Sequence, residues 1–330
     1  MQENNNYIQS GDNSPGKEKF LAEVLSGLRK SPKELPSKYF YDRKGSDLFE
    51  QICCLDEYYI PATEDAIMRA NIQEMASLIG PNALIIEYGS GECRKVRFLL
   101  KHLDRPVAYV PIDISIEQLM RVSKELALDY PELEVLPLRA DYTGNINIPE
   151  TTREYTRTIA YFPGSTIGNF DPIPAKNFLE HIAQVCSPGG GLLIGVDLKK
   201  NPSVLHKAYN DGQKVTAAFN LNLLIRINRE LGADFDLDSF THYSFYNPKE
   251  GRVEMHLYSN HEQTVHLDGS AFFIDKGETI WSESSYKYNL DEFEEIAATA
   301  GFRVKGIWTD EENLFSVQYL ETTEDSIITH

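Results

Sequence analysis

Two glycines and an acid stand where a parallel sheet would bring them together. A short apolar run, residues 84–86, is followed after Glu87-Tyr88 by Gly89-Ser90-Gly91. Glycines at such a turn let a ligand approach the backbone at the start of the next helix. A second apolar run, residues 107–112, ends in Asp113, and an acid at that position can accept both hydroxyls of a ribose. The spacing therefore predicts a nucleoside site.

Further apolar runs extend this pattern. Residues 133–138 lead to Asp141-Tyr142, in which the acid can accept from an exocyclic amine while the ring covers a purine face. Residues 158–162 open into a segment from Gly164 to Asn169, and a fifth run covers residues 192–196. Strands that alternate with helical segments predict an α/β fold with a doubly wound, Rossmann-like parallel sheet. Its strands would end at the residues proposed for the ligand.

The glycine pattern alone does not identify the ligand. A dinucleotide fingerprint requires a third glycine at position 94, where this chain has Arg94. A dehydrogenase that binds a nicotinamide dinucleotide is therefore disfavoured, although it stays a rival hypothesis.

Several separate motifs resemble one family. Glu87-x-Gly89-x-Gly91, Asp113 and Asp141-Tyr142 are similar to the S-adenosylmethionine site of class I methyltransferases. Other blocks resemble the histidine Nα-methyltransferases of ergothioneine biosynthesis, and they occur in the same order along nearly the whole chain after residue 15. These blocks are Phe40-Tyr41-Asp42, Gly45-Ser46-x-Leu48-Phe49, Glu57-Tyr58-Tyr59, Gly164-Ser165-Thr166-Ile167-Gly168-Asn169, Tyr209-Asn210-Asp211, Val215-Thr216-Ala217-Ala218-Phe219-Asn220 and Asp234-Phe235-Asp236-Leu237.

The resemblance implies a set of cofactor-binding residues for S-adenosylmethionine. The lysine that matches Lys95 binds the methionine carboxylate in the family, and the acid that matches Asp113 holds the ribose. The full expected set is Gly89, Ser90, Gly91, Lys95, Asp113, Asp141 and Tyr142.

The resemblance also implies a substrate site for an amino acid. Tyr58, Asn169 and Tyr209 are expected to hold its carboxylate and amine. Glu283 and Ser285 are two residues apart, so on a strand they point to one face and can meet the two nitrogens of one imidazole. The expected substrate-binding set is Tyr41, Tyr58, Asn169, Tyr209, Met255, Glu283 and Ser285.

For the reaction we expect methyl transfer to an amine, with Asn169 holding the amine and the Gly164 carbonyl assisting. Phe49 can face the growing methylammonium through a cation–π contact. The sequence shows no dedicated strong base. The expected reaction is three methyl transfers to the α-amine of L-histidine, which gives hercynine and begins ergothioneine biosynthesis.

Two further rival functions stay open beside the dehydrogenase. Another aromatic amino acid such as tryptophan could be methylated, although an indole has one N–H donor and no acceptor nitrogen. A non-catalytic protein that binds S-adenosylmethionine or histidine is the second.

The composition favours a small-molecule enzyme. The 330 residues carry a formal net charge of −18, and phosphate binding requires a basic surface, so a nucleic-acid substrate is disfavoured. The four cysteines show neither zinc spacing nor a disulfide framework, which is typical of a reducing compartment. We expect a soluble, cytoplasmic monomer, because no apolar run reaches membrane-spanning length and no signal peptide opens the chain.

The histidines do not predict a metal site. The four in the later part of the chain lack the spacing typical of zinc ligands, so we expect no metal. They are His242, His256, His261 and His266.

The pattern of elements predicts two domains and a tail. Residues 1–16 are polar and are expected to be disordered. A discontinuous α+β substrate-binding domain is expected at residues 17–62 and 200–286, and the methyltransferase domain at residues 63–199 and 287–330. Within them, residues 205–231 read as one helical stretch.

A helix start is also predicted near the second strand. Ser115-x-x-Gln118 has the pattern of a capping box, in which the serine side chain caps the helix that follows.

Overall fold

The computed structural model describes residues 16–91, 94–144, 146–186 and 188–323. The tail predicted to be disordered lies, except for Gly16, outside the described residues, and so does Cys93. In chain order, the α-helices of the described part, α1 to α9, are Lys17–Leu28, Arg43–Ile52, Ile60–Ile79, Arg94–His102, Ile116–Asp129, Pro172–Cys186, Pro202–Tyr209, Val215–Leu231 and Leu290–Thr299. The strands, β1 to β14, are Lys33–Glu34, Ala83–Tyr88, Ala108–Asp113, Glu134–Val135, Leu138–Arg139, Arg157–Phe162, Gly191–Asp197, Phe240–Asn247, Arg252–Ser259, Gln263–Leu267, Ser270–Ile274, Thr279–Tyr286, Phe302–Thr309 and Phe315–Thr322.

The larger sheet has the strand order β13-β14-β7-β6-β2-β3-β4, with β5 also paired to β3. Strands β2 to β7 pair in parallel, whereas β14 is antiparallel to β7 and β13 is antiparallel to β14. The chain builds outward from β2 through β3 and then returns to β6 on the other side of β2. This topology confirms the predicted doubly wound α/β fold. Its switch point lies between β2 and β6, where ligands bind in such sheets.

The central strands are buried because helices cover both faces of the sheet. All six residues of β2 and all seven of β7 are buried, as expected for parallel strands between helical layers. Side chains such as Ile86 and Phe162 pack with α6 and α9 on one face, and Ile85 and Tyr161 pack with α3 and α4 on the other. Two apolar cores therefore fix the strand ends that carry the candidate residues.

A smaller sheet has the order β1-β12-β9-β8 and packs with α1, α2 and α8 around a third core. Strand β12 carries a register shift beside Ser282: Trp281 pairs with His256 and Glu283 pairs with Met255. Because two residues of β12 oppose one step of β9, Trp281 and Glu283 point to opposite faces. The bulge directs Glu283 to the face on which Met255 is buried.

Two of the predicted elements are interrupted. The stretch 205–231 is two helices rather than one, because the Asp211 carboxylate accepts from the N–H groups of Val215 and Thr216, 2.9 and 2.8 Å away, and starts α8 anew. The third apolar run is split into β4 and β5 around Pro137, which has no N–H to donate to a ladder.

The predicted capping box at Ser115 was wrong. Helix α5 begins at Ile116 without a cap from the Ser115 side chain. The Ser115 N–H instead donates to the Asp113 carboxylate over 2.9 Å.

Candidate active site

The glycine turn after β2 is shaped by positive φ angles. Gly89 has φ +74° and Gly91 has φ +48°, which glycine adopts more readily than any residue with a Cβ. A Cβ on Gly89 would lie 3.4 Å from the Tyr142 hydroxyl oxygen, so the ring of Tyr142 lies against this turn. Ser90 is buried there, and its hydroxyl has no partner within the described ranges.

Asp113 at the end of β3 is held by the backbone. Its carboxylate accepts from the Gly91 N–H at 3.0 Å and from the Ser115 N–H at 2.9 Å. Burial raises the pKa of Asp113, and these backbone donors oppose the rise. A carboxylate oxygen can accept more than one hydrogen bond, so capacity remains for the two hydroxyls of a ribose.

Asp141 and Tyr142 follow β5 as expected. The Tyr142 ring packs edge to face on Tyr88 and Phe162, with centroids 6.1 and 6.0 Å apart. Asp141 accepts from the N–H and hydroxyl of Thr143 at 3.1 and 2.5 Å. Burial opposes ionisation of Asp141, but Thr143 and Lys38 hold its pKa below the ordinary value.

Lys95 at the start of α4 has a partner that the sequence analysis missed. Its ammonium group contacts the carboxylate of Glu64, a buried residue of α3. Glu64 also accepts from the Gly164 N–H at 2.9 Å, and a Cβ on Gly195 would collide with its carboxylate at 2.3 Å. A charge buried against a glycine of β7 is a tertiary arrangement, so the helical pattern of α3 gives no sign of it.

The Gly164-to-Asn169 segment lies at the carboxyl end of β6. Gly164 has φ +78°, and residues Thr166–Asn169 form a 3₁₀ turn. The turn packs on β12, since a Cβ on Gly168 would lie 2.7 Å from the Tyr286 carbonyl oxygen. Asn169 is thereby placed between the larger sheet and the smaller one.

Four aromatic side chains form a chain of edge-to-face contacts. The ring centroids are 5.6 Å apart for Tyr41 and Phe49, 6.5 Å for Phe49 and Tyr58, and 6.2 Å for Tyr58 and Tyr209. Burial and then the charge of Glu283 raise the pKa of Tyr41 well above its ordinary value. Burial also raises the pKa of Tyr58, and the same carboxylate makes a smaller contribution. Residues expected at the substrate site therefore do come together.

Glu283 lies deep in the molecule with part of its surface accessible. Burial raises its pKa from 4.5 to about 7, although the nearby charge of Lys287 acts in the opposite direction. Met255 lies directly across the strand pair from Glu283. Ser285 is on the same face of β12, and its hydroxyl is 2.8 Å from that of Tyr209.

Several of these polar groups lack a partner within the protein. In residues 16–91, 94–144, 146–186 and 188–323, no hydrogen bond satisfies four side chains that are each partly accessible. Three of them interact electrostatically, and the fourth, Asn169, lies on the turn that packs on β12, the strand of Glu283. We call them the polar cluster, and they are Tyr41, Tyr58, Asn169 and Glu283. Because each group is partly accessible, water can satisfy it in the free protein, and a ligand that displaces this water must supply matching hydrogen-bond partners.

A buried charge network adjoins the polar cluster and was missed by the sequence analysis. The Lys287 ammonium is 2.7 Å from the Asp197 carboxylate, and neither side chain is exposed. Asp197 also contacts Lys200, and it accepts from the Tyr59 hydroxyl at 2.8 Å. Burial opposes ionisation of Asp197, but the two lysines hold its pKa below the ordinary value. Burial lowers the pKa of Lys200 to about 8.

Weak signals for this network exist in the sequence. Asp197 follows the fifth apolar run, at the strand end where ligands bind. Lys287 continues the alternation of Glu283 and Ser285 along one face.

The two ends of the site are in contact. Burial and then Glu283 raise the pKa of Tyr41, and a smaller electrostatic contribution comes from Tyr142 at the glycine turn, so the two hydroxyls lie within electrostatic range of each other. Lys38, from a 3₁₀ turn at Ser37–Phe40, reaches the Asp141 carboxylate over 3.4 Å. A methyl donor at the glycine turn and an acceptor at the polar cluster would therefore be neighbours.

The described residues show neither a metal centre nor a membrane span. No group of three or more His, Cys, Asp or Glu side chains among them is placed to hold a metal ion. No helix in these ranges is both long and apolar enough to cross a bilayer.

Comparison with known proteins adds independent findings. A family model described as histidine-specific, SAM-dependent methyltransferase matches residues 20–322. Histidine N-alpha-methyltransferase of Mycolicibacterium smegmatis is 38% identical over 294 residues, which are 87% of this chain and 90% of that protein. Ergothioneine biosynthesis protein 1 of Neurospora crassa is 31% identical over 84% of this chain, which corresponds to 32% of that longer protein. A more distant relative, 4-dimethylallyltryptophan N-methyltransferase of Epichloe festucae var. lolii, is 28% identical over 87% of this chain and 90% of its own length.

Proposed function

Since the chain belongs to the family of histidine-specific, S-adenosylmethionine-dependent methyltransferases, we propose that it methylates the α-amine of L-histidine three times and releases hercynine. Its relative from Mycolicibacterium smegmatis bears the name of this activity. The relative from Neurospora crassa is named for ergothioneine biosynthesis, and we place the reaction at the first step of that route.

The observation that carries the proposal is the polar cluster beside Ser285. Glu283 offers a carboxylate without a protein partner, and Ser285 lies two residues along the same strand face. An imidazole has two nitrogens that such a pair can bind. Tyr58 and Asn169 then remain as donors for the carboxylate of the amino acid, and the Tyr209 hydroxyl oxygen can accept from its amine.

The glycine turn fits the methyl donor. Gly91 and Ser115 hold Asp113 in place for a ribose, Tyr142 lies against Gly89 where a purine face would pack, and the buried Ser90 hydroxyl lacks a partner in the described ranges. S-adenosylmethionine supplies a methyl carbon that is already activated by its sulfonium, so the protein does not need a nucleophile of its own. Lys95 would hold the methionine carboxylate, with Glu64 fixing the ammonium group.

The protein then acts by orientation. The polar cluster holds the amino acid so that its neutral amine meets the methyl carbon in line, and the surrounding rings exclude water. Asn169 would hold the amine with help from the Gly164 carbonyl, and the Gly164 N–H bond to Glu64 fixes the backbone at this position. Phe49 faces the same region and would stabilise the methylammonium that forms. A proton must leave the amine before each transfer, so we expect the rate to rise with pH until the amine has titrated.

Methylation of a tryptophan derivative is the second candidate, because one relative is named for such a substrate. An indole cannot accept a hydrogen bond through its nitrogen. Glu283 and Ser285 together therefore fit histidine better.

Turnover by the purified protein tests the proposal. The protein is incubated with methyl-labelled S-adenosylmethionine and a panel of amino acids, and product masses are measured. We expect histidine to gain three labelled methyl groups, all on the α-nitrogen. Selective methylation of tryptophan would support the second candidate, and binding of both compounds without any product would indicate a non-catalytic protein.

The cellular location and the oligomeric state of the chain are inferred from the sequence alone. We infer a cytoplasmic monomer with small-molecule substrates, in line with its acidic composition.

A further inference from the structure

Lys287 is an ammonium group whose three protons all have acceptors. Its Nζ lies 2.7 Å from Asp197 Oδ2, 2.8 Å from Ser285 Oγ and 3.0 Å from the Tyr209 hydroxyl oxygen. The side chain is fully enclosed. A lysine has three N–H donors and no acceptor, so Lys287 has none left for a substrate. It can act on a substrate only through the groups that it holds.

The two hydroxyls that Lys287 holds are also bonded to each other. Tyr209 and Ser285 lie 2.8 Å apart, so one of them must donate to the other. A phenol is more acidic than an aliphatic alcohol and is the better donor, which makes Tyr209 the donor and Ser285 the acceptor. Ser285 Oγ then accepts twice, from Lys287 and from Tyr209. Its own proton is all that it has left to offer.

We propose that Lys287 is a positioning residue that orients this hydrogen-bond chain so that Ser285 donates into the site and selects a neutral imidazole. This inference rests on the proposed function. Glu283 accepts the ring N–H, and Ser285 donates to the other, unprotonated ring nitrogen. A ring without an acceptor nitrogen leaves the Ser285 proton without a partner, and a protonated imidazole brings a second N–H against it.

The charges around Glu283 agree with this arrangement. Burial raises the pKa of Glu283 to about 7, and the charge of Lys287 opposes that rise. Asp197 does not cancel Lys287 fully, because it also pairs with Lys200. The other titratable groups that face Glu283 are hydroxyls of Tyr41, Tyr58 and Tyr209, which stay neutral because burial raises the pKa of each. Above pH 7 Glu283 is therefore ionised and serves as an acceptor.

Substrate analogues separate a positioning role from a purely structural one. In the two pyrrolylalanine isomers, one or the other ring nitrogen of histidine is replaced by C–H, so each keeps an N–H donor and lacks the acceptor. We expect the wild-type protein to prefer histidine over the better isomer by about 10–100-fold in kcat/KM, the effect of one hydrogen bond to a polar group in a desolvated site. Competition Kd replaces kcat/KM wherever turnover of an analogue is below detection.

The substitution Lys287→Met should remove that preference. We expect kcat/KM for histidine to fall by about 10–100-fold and that for the better isomer by less than about 3-fold. Asp197 keeps Lys200 and Tyr59 in this variant. Lys276→Met, at an exposed turn, is the matched control and should leave both values unchanged. Equal losses for both substrates would mean that Lys287 is structural and would overturn the proposal.

A double-mutant cycle shows whether Lys287 acts through Ser285. In a Ser285→Ala background, Lys287→Met should change the preference for histidine by less than about 3-fold, because the hydroxyl that it orients is gone. Full additivity of the two substitutions would contradict the proposal.

One measurement does not depend on a folded variant. Nitrogen-15 NMR of labelled histidine bound to the wild-type protein with S-adenosylhomocysteine should show one protonated and one unprotonated ring nitrogen, and two protonated nitrogens would overturn the inference. Failure of the proposed function gives a different result, since the wild-type protein would then not methylate histidine at all.

Discussion

At the carboxyl end of β3, the Asp113 carboxylate is held by two backbone N–H groups, whereas on β12 the Glu283 carboxylate has no donor among the described residues. The first acid, Asp113, is held by Ser115, two residues further along the chain, and by Gly91 in the turn after the neighbouring strand β2. The second is placed by a bulge and by packing between distant segments. Both acids are predicted to hold a ligand, but only one is satisfied by the protein itself.

This difference separates a preformed region from one that its ligand completes. The glycine turn is ordered by local backbone geometry, so the loss of one contact there should weaken binding of the methyl donor moderately. In the polar cluster, the bound substrate must replace the hydrogen bonds that each group makes to water, because the described protein residues supply none. Loss of one member should therefore affect substrate selection strongly and leave the affinity for the methyl donor nearly unchanged.

The largest effect is expected for Glu283→Ala. We predict that kcat/KM for histidine falls by about 100–1,000-fold, because a charge-assisted hydrogen bond and the shape of the site are lost together. The Kd of S-adenosylmethionine, measured by calorimetry, should change by less than about 3-fold. Glu262→Gln, an exposed carboxylate in the same part of the chain, serves as the control. An equal loss of affinity for histidine and for S-adenosylmethionine would remove the distinction between the two regions.

A smaller effect is expected at the preformed region. Asp113→Asn should raise the Kd of S-adenosylmethionine by about 10–100-fold, since the amide can replace only part of the acceptor capacity for a ribose and repels the Gly91 N–H. The KM for histidine at saturating methyl donor should change by less than about 3-fold. Asp104→Asn, an exposed acid after α4, should leave both values as in the wild type. A larger effect on histidine than on the donor would reverse the predicted assignment.

The pKa of Glu283 gives a prediction for stability. Burial raises it from 4.5 to about 7, so the folded state binds this proton more tightly than the unfolded state does. The cost to folding therefore grows as pH rises from 4.5 to 7 and is complete above that range. Glu283→Gln should increase the free energy of unfolding by more at pH 8 than at pH 5, the difference being about 1–2 kcal/mol once the partial access of water is allowed for.

Urea unfolding of both proteins at the two pH values measures this difference. Saturating histidine should abolish the loss of stability between pH 5 and pH 8 in the wild-type protein, because the bound ring satisfies the Glu283 carboxylate. A stability gain that is the same at pH 5 and pH 8 would show that Glu283 is not held as a raised-pKa acid.

The smallest effect is expected where the two regions touch. Lys38→Gln removes a partly exposed ion pair of 3.4 Å with Asp141, and such pairs contribute about 0–1 kcal/mol. We predict a change of about 2–5-fold in the Kd of S-adenosylmethionine that diminishes at high salt. Lys44→Gln, an exposed lysine of α2, is the control, and a change that is independent of salt would exclude an electrostatic contribution.

The preformed region was the more predictable of the two because its signals are local. An apolar run, two glycines and an acid at the end of the next run specify Gly89, Gly91 and Asp113 within about two dozen residues. The doubly wound fold follows from the same alternation of runs and helices. The break between α7 and α8 was missed because a helical pattern does not show that the Asp211 carboxylate caps α8.

The residues of the polar cluster were predicted from the family resemblance, and the residues that surround them could not be predicted. Alternation alone would place Trp281 and Glu283 on one face, but the bulge at Ser282 separates them. Lys287 and Glu64 are charged residues that a sequence assigns to the surface, and only the folded packing shows that both are buried. The assignment of individual ligand contacts stays a prediction.

The central claim is that the polar cluster holds an imidazole-bearing amino acid with its amine directed at the methyl donor. A crystal structure with S-adenosylhomocysteine and L-histidine tests it most directly. The account predicts the imidazole between the Glu283 carboxylate and the Ser285 hydroxyl, with the α-nitrogen in line with the donor sulfur. Histidine bound with its ring away from Glu283, or with its amine turned from the sulfur, would contradict it.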